Sequence, residues 1–129
     1  MSLKVPPALL EQAQAGEIRL DDFLQCIHDS LPYAWQLIEG LAGKLQESDA
    51  EFVDNQTPPP SEQARGQLLR VLSSDAMRGA LEQHFGVTLA FQNCHRVALF
   101  RTEQLGATYE EFITPRSQIL NQSPALVDC

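Results

Sequence analysis

The sequence predicts an α+β fold: about four or five amphipathic helices packed on a small antiparallel β-meander of two to four strands near the C-terminus. Three observations predict it. Apolar residues recur at helical spacing between residues 20 and 45 and again between 64 and 85. At Val87 the period changes to alternation, and the residues become β-branched and aromatic. Between the helical stretches lies the run Pro58-Pro59-Pro60, which favours extended geometry and cannot continue a helix. At 129 residues the chain fits a single domain, 1–129, long enough to bury a core without disulfides or metal. Within it, 1–47 holds a helical hairpin, 55–61 is a proline-rich linker, and 62–129 carries two helices followed by a hairpin or meander.

Pro6 and Pro7 start a helix through ALLEQAQ, and Gly16 ends it. Leu20, Phe23, Leu24, Ile27 and Leu31 form the apolar stripe of the next. Ser30-Leu31-Pro32 resets the chain, with Ser30 the expected cap, and Ala34, Leu37, Ile38, Leu41 and Leu45 line the following helix. Gly40 and Gly43 within it weaken the helix while permitting a neighbour to approach closely. After the prolines, Ser61 caps a helix burying Ala64, Leu68, Val71 and Leu72. Ser74 or Asp75 opens another, with Met77, Ala80, Leu81 and Phe85 in line and Gly86 at its end.

VTLAFQ and HRVALFR then read as two strands about a two-residue turn, Asn93-Cys94. That register sets Val87, Leu89 and Phe91 opposite Phe100, Ala98 and Arg96, with both faces apolar at the base and polar towards the turn. The base is therefore expected to be buried on both sides, in a sheet sandwiched between layers, and the tip to emerge into solvent. A further strand is expected at 107–113, the rival being a short helix with Thr108 as cap and Glu111 in the capping-box position. EFVD (51–54) is another short strand candidate.

The composition is that of an ordinary globular chain, 43% hydrophobic and 20% charged. A net charge of −8 counts against nucleic acid and against an anionic membrane surface, and leaves a basic partner open. No apolar run approaches the ~18 residues of a membrane span, and the N-terminus turns polar too early for a signal peptide. Cys26, Cys94 and Cys129 are an odd number without framework spacing, which fits free thiols in a reducing cytoplasm.

Two Cys/His pairs, Cys26-Ile27-His28 and Cys94-His95, offer zinc-type ligands, which a metal site needs convergent. Residues two apart on a helix lie roughly 200° around the axis, and neighbours on a strand point to opposite faces. Neither a metal nor a cofactor is expected. Cys94 has the cationic neighbours of a reactive thiol in His95 and Arg96, but nothing marks an oxyanion hole. His84 sits in the last turn of its helix, where an imidazolium favours the dipole. Asp21-Asp22 suits a helix start, Glu110-Glu111 suits a solvated face, and six arginines of the second half lie on separate elements. No phosphate loop, dinucleotide fingerprint or nucleophile elbow occurs, and no catalytic residue is assigned.

Tyr33 and Trp35 bracket Ala34, again roughly 200° apart, so both cannot face one core. One of them is a candidate interface anchor. Together with Cys94, His95 and Arg96 at the tip, they make up the candidate interaction surface. The expected function is a non-enzymatic accessory, regulatory or assembly module that binds a protein partner, with a homodimer among the options. The alternative is a small-molecule-binding domain or small enzyme with a pocket between helices and sheet.

Overall fold

Residues 2–93 and 95–121 are described by a computed structural model, so Cys94, Cys129 and the rest of the C-terminal stretch lie outside the described residues. The order is α1 (Pro7–Ala15), α2 (Leu20–Ser30), α3 (Pro32–Gln46), β1 (Phe52–Asp54), α4 (Glu62–Leu72) and α5 (Asp75–Phe85). There follow β2 (Val87–Gln92), β3 (Arg96–Arg101), a short 3₁₀ turn, α6 (Ala107–Phe112) and α7 (Pro115–Leu120). Helices pack against a small open antiparallel sheet of three strands, which is the α+β architecture that the periodicities predict.

The helix ends follow local chemistry. Ser61 Oγ accepts the amide of Ala64 at 3.1 Å, and Ser74 Oγ that of Met77 at 3.2 Å. Gly16 and Gly86 close α1 and α5 at φ +81° and +67°, a conformation glycine adopts without a Cβ clash. The start of α3 departs from expectation. Ser30 does not cap it, because its hydroxyl accepts the Lys4 amide at 2.8 Å. Instead Gln67 of α4 reaches across and accepts the amides of Tyr33 at 2.7 Å and Ala34 at 3.3 Å. The cap is tertiary. Nor do Gly40 and Gly43 admit a neighbour: no neighbouring atom lies within 4 Å of where a Cβ would sit on either.

Strand order is β1-β3-β2, so β3 is central and antiparallel to both neighbours. The third strand is thus Phe52–Asp54, within the EFVD candidate before the prolines, and the three strands do not form a meander. The stretch 107–113, expected to be a strand, is α6 and the turn after it, because Tyr109 and Phe112, three residues apart, both pack on Phe100 from a helix. Gly106 occupies its N-cap position, not Thr108, so the rival helical reading also misplaces the start. Beyond it Thr114 caps α7, accepting the Ser117 amide at 3.1 Å, with Pro115 in the first turn. With α6 and α7, the described residues hold seven α-helices in place of four or five.

The hairpin turn is one residue longer than expected. Gln92 pairs with Arg96, so residues 93–95 form the loop, with Asn93 at φ +50°. Its Oδ1 accepts the His95 amide at 3.2 Å, the local bond that lets asparagine hold such a turn. One extra loop residue moves the pairing by one: Leu89 faces Leu99, Phe91 faces Val97, Thr88 faces Phe100 and Ala90 faces Ala98. One face of the sheet, with Val53, Val87, Leu89, Phe91, Val97 and Leu99, joins the main core of α2–α5. The other, with Phe52, Ala90, Ala98 and Phe100, is covered by Tyr109 and Phe112 of α6. The sheet is sandwiched between helices.

Arg101 ties the layers together at the end of β3. Its guanidinium donates to the carbonyls of Leu45 at 2.6 Å, Ser48 at 2.5 Å and Ala50 at 3.0 Å, satisfying carbonyls at and beyond the end of α3. At the opposite edge, the Glu82 carboxylate accepts the outward Leu89 amide at 2.9 Å. Cys26 is buried under the N-terminal segment, its thiol 3.6 Å from the Lys4 carbonyl.

Urea denaturation should separate these roles. Leu99→Ala, at a fully buried position on the central strand, should cost about 2–5 kcal/mol. Gly40→Ala, at an open position inside α3, should gain about 0.5–1 kcal/mol, whereas a loss would mean a packed glycine after all.

Candidate functional site

The described surface carries two places where side chains of different elements converge. The first is built on α2, α3 and α5. Asp21, Leu24, Gln25 and His28 recur on α2 at helical spacing, and all four border one cleft. Trp35 forms part of its wall from the first turns of α3, and His84 closes it from the last turn of α5. The cleft measures about 160 Å³.

Its rings are in contact. His28 meets the indole of Trp35 edge-on at 5.3 Å between centroids, and His84 and Phe85 each pack tilted against it at 5.5 Å. His84 also stands edge-on to Phe85 at 4.7 Å. These separations fall where aromatic pairs attract. Trp35 is only 7% exposed, whereas His28 and His84 are open to solvent. His28 Nδ1 lies 3.0 Å from Asp29 Oδ1, and Gln25 Nε2 donates to the same oxygen at 2.9 Å. Those two hydrogen bonds, that of His28 foremost, favour the ionised carboxylate and hold Asp29 below the usual aspartate value.

The second place is the hairpin tip. Arg96 Nε and a terminal nitrogen reach Asp54 Oδ2 at 2.8 and 2.7 Å, and Nη1 donates to Gln92 Oε1 at 2.8 Å. The guanidinium also stands 5.0 Å above the ring of Phe112. Gln92, fully buried, donates to the Phe112 carbonyl at 2.7 Å and to Ser117 Oγ at 2.6 Å. Asn93 binds Gln118 and Asn121, and Asn55 donates to the His95 carbonyl at 2.6 Å while accepting the Val97 amide at 2.8 Å. The tip expected in solvent is therefore covered among the described residues: the polar side chains that seemed to call for water find partners in α6, α7 and the 54–57 stretch. A cavity of about 330 Å³ beside Pro58 is lined by Asp54, Asn55, Gln56, His95, Arg96 and Asn121 among others.

The candidate interaction residues thus part company. Trp35 belongs to the cleft. Tyr33 is half-buried outside it, with burial pushing its phenol up. His95 is buried in the turn and Arg96 is engaged by Asp54 and Gln92, while Cys94 lies outside the described residues. Cys26 is buried and His28 exposed, so this pair faces apart. Among the described residues no three His, Cys, Asp or Glu side chains gather as metal ligands, and no helix is long and apolar enough to cross a membrane. Arg65, Arg78, Arg96 and Arg116 pair with Glu62, Asp75, Asp54 and Glu111 respectively.

Sequence reasoning missed His28, His84 and Phe85 as companions of Trp35. The spacing of Asp21, Gln25 and His28 along one side of α2 was the available signal. A family model described as "NucS shadow ORF" matches residues 1–129. The chain belongs to this family. No curated protein and no solved structure matches the chain significantly.

Protonating Asp29 removes the bonds that hold its value down, so whatever stability they contribute is present near neutrality and lost as pH falls through the lowered midpoint. A carboxyl NMR titration should place Asp29 below an ordinary aspartate, and His28→Ala should move it back up. An unmoved midpoint would show that His28 is not the main cause.

Proposed function

We propose that this protein is a non-enzymatic binding module, an accessory or assembly component that docks a protein partner in the cytoplasm. The observation that carries the reading is the Trp35 cleft: a largely buried tryptophan packed with two imidazoles and Phe85, lining a cleft between helices of a chain with net charge −8. Tryptophan in a well-packed, partly desolvated setting is the residue type that dominates protein interfaces. The imidazoles give it a polar rim, as interfaces have around an apolar centre. A second copy of the chain is among the partners that this reading admits.

A second reading, a small-molecule-binding domain or small enzyme, draws on the cavity beside Pro58, whose volume of about 330 Å³ is at the lower end for ligand sites. The groups lining it argue less for a ligand, because Asp54, Arg96 and Asn55 already satisfy one another and the neighbouring backbone.

The experiment is capture of the chain tagged at its own locus, so that its production at native level is read first. Wild type, the His28→Ala/His84→Ala double variant and Ile119→Ala, at an exposed position on α7, are then compared by quantitative mass spectrometry. A partner lost by the double variant and kept by Ile119→Ala is expected. If the partner is a second copy, light scattering should give a dimer for wild type and a monomer for the double variant. An unchanged partner set, or no chain in the cell, overturns the proposal.

A further inference from the structure

Six residues line the Trp35 cleft: Asp21, Leu24, Gln25, His28, Trp35 and His84. None is a lysine or arginine, and one is a carboxylate at the rim. At about 160 Å³ the space is smaller than the ~300 Å³ where sites for drug-sized ligands begin, and suits one extended side chain. An anionic group would meet Asp21 and the net charge of −8 with no lysine or arginine among the lining residues to offset them. A purely apolar group would desolvate Asp21, Gln25 and two imidazoles without returning a hydrogen bond. A cation meets neither obstacle: aromatic faces attract it through their quadrupole, tryptophan most strongly, and the carboxylate adds its charge.

From this we infer that the cleft receives the ammonium group of a lysine side chain from a basic segment of a partner protein, with Trp35, His28 and His84 as aromatic walls and Asp21 as counter-charge. The inference rests on the docking function proposed above and specifies the occupant. Gln25 on the same rim offers a carbonyl oxygen as a further acceptor, and Leu24 packs the alkyl stem. The acidic surface as a whole draws such a segment in and makes the encounter salt-dependent.

Trp35 is the chain's single tryptophan, so its emission reports the cleft alone. The full chain is titrated with three short peptides that alternate glycine with lysine, glutamate or leucine. The lysine peptide should change Trp35 emission saturably, more weakly as salt is raised, and the glutamate peptide should have no effect. Asp21→Asn should weaken lysine binding about three- to tenfold. Glu103→Gln, an equal loss of charge in the turn after β3, should leave it unchanged. Circular dichroism confirms that each variant is folded. Binding of the leucine peptide alone would overturn the cationic occupant while leaving the docking function standing. Equal weakening by Glu103→Gln would reduce the effect to bulk charge and overturn the site. No response to any peptide, together with an unchanged partner set on capture, would remove both.

Discussion

Strand β3 has to be covered on both faces, and most of the architecture answers that demand. Val97, Ala98, Leu99 and Phe100 are each at most 2% exposed, although successive residues of a strand point to opposite sides. A single helical layer could serve only Val97 and Leu99. The chain therefore supplies a second layer, α6, for Ala98 and Phe100. It also supplies a neighbour on each edge, β1 and β2, so that the buried backbone of β3 has partners on both sides. Arg101 at the end of the strand then fixes the sheet against α3 through three carbonyls.

What the sequence made legible is what local chemistry decides. Ser61 and Ser74, Gly16 and Gly86 each mark a helix end by a mechanism that acts within a few residues, and each stands where it was expected. The apolar stripes and the change of period at Val87 likewise reflect which face each element buries. The sandwich itself followed from the apolar character of both hairpin faces. Other features depend on distant partners. Gln67 caps α3 only because α4 packs beside it, and nothing in SLPY announces that. The turn length rests on Asn93 accepting a left-handed conformation without a following glycine to advertise it. Tyr109 and Phe112 favour strands by propensity, but Phe100 selects the helix that presents both to it. Thr114-Pro115 was a readable helix start that the expected strand obscured. Of the candidate site, Trp35 was among the residues that the sequence singled out, and its companions were not, since three helices must meet to form the cleft.

The two convergent places differ in what they leave over. At the hairpin tip, polar groups are arranged to satisfy one another: Asp54, Gln92, Arg96 and Ser117 form a chain of bonds that spends their capacity inside the fold. Such a network fixes the position of α6 and α7 more than it invites a ligand. Around Trp35 the balance is reversed. The rings stabilise one another through their mutual contacts, and Asp21, Gln25, His28 and His84 border an open cleft beside them.

The strand order has a bearing on how the chain reaches this state. Phe52 and Val53 precede α4 and α5, yet their partners Phe100 and Leu99 follow them. During synthesis from the N-terminus, β1 waits without a mate until two more helices and a hairpin have left the ribosome. Closing that long loop costs entropy that only the finished sheet repays, so β1 docks late. Three residues make a short strand to leave waiting, and Asp54 at its end carries a charge that discourages pairing with another chain in the interval. The brevity of β1 is thus also its protection against misassembly.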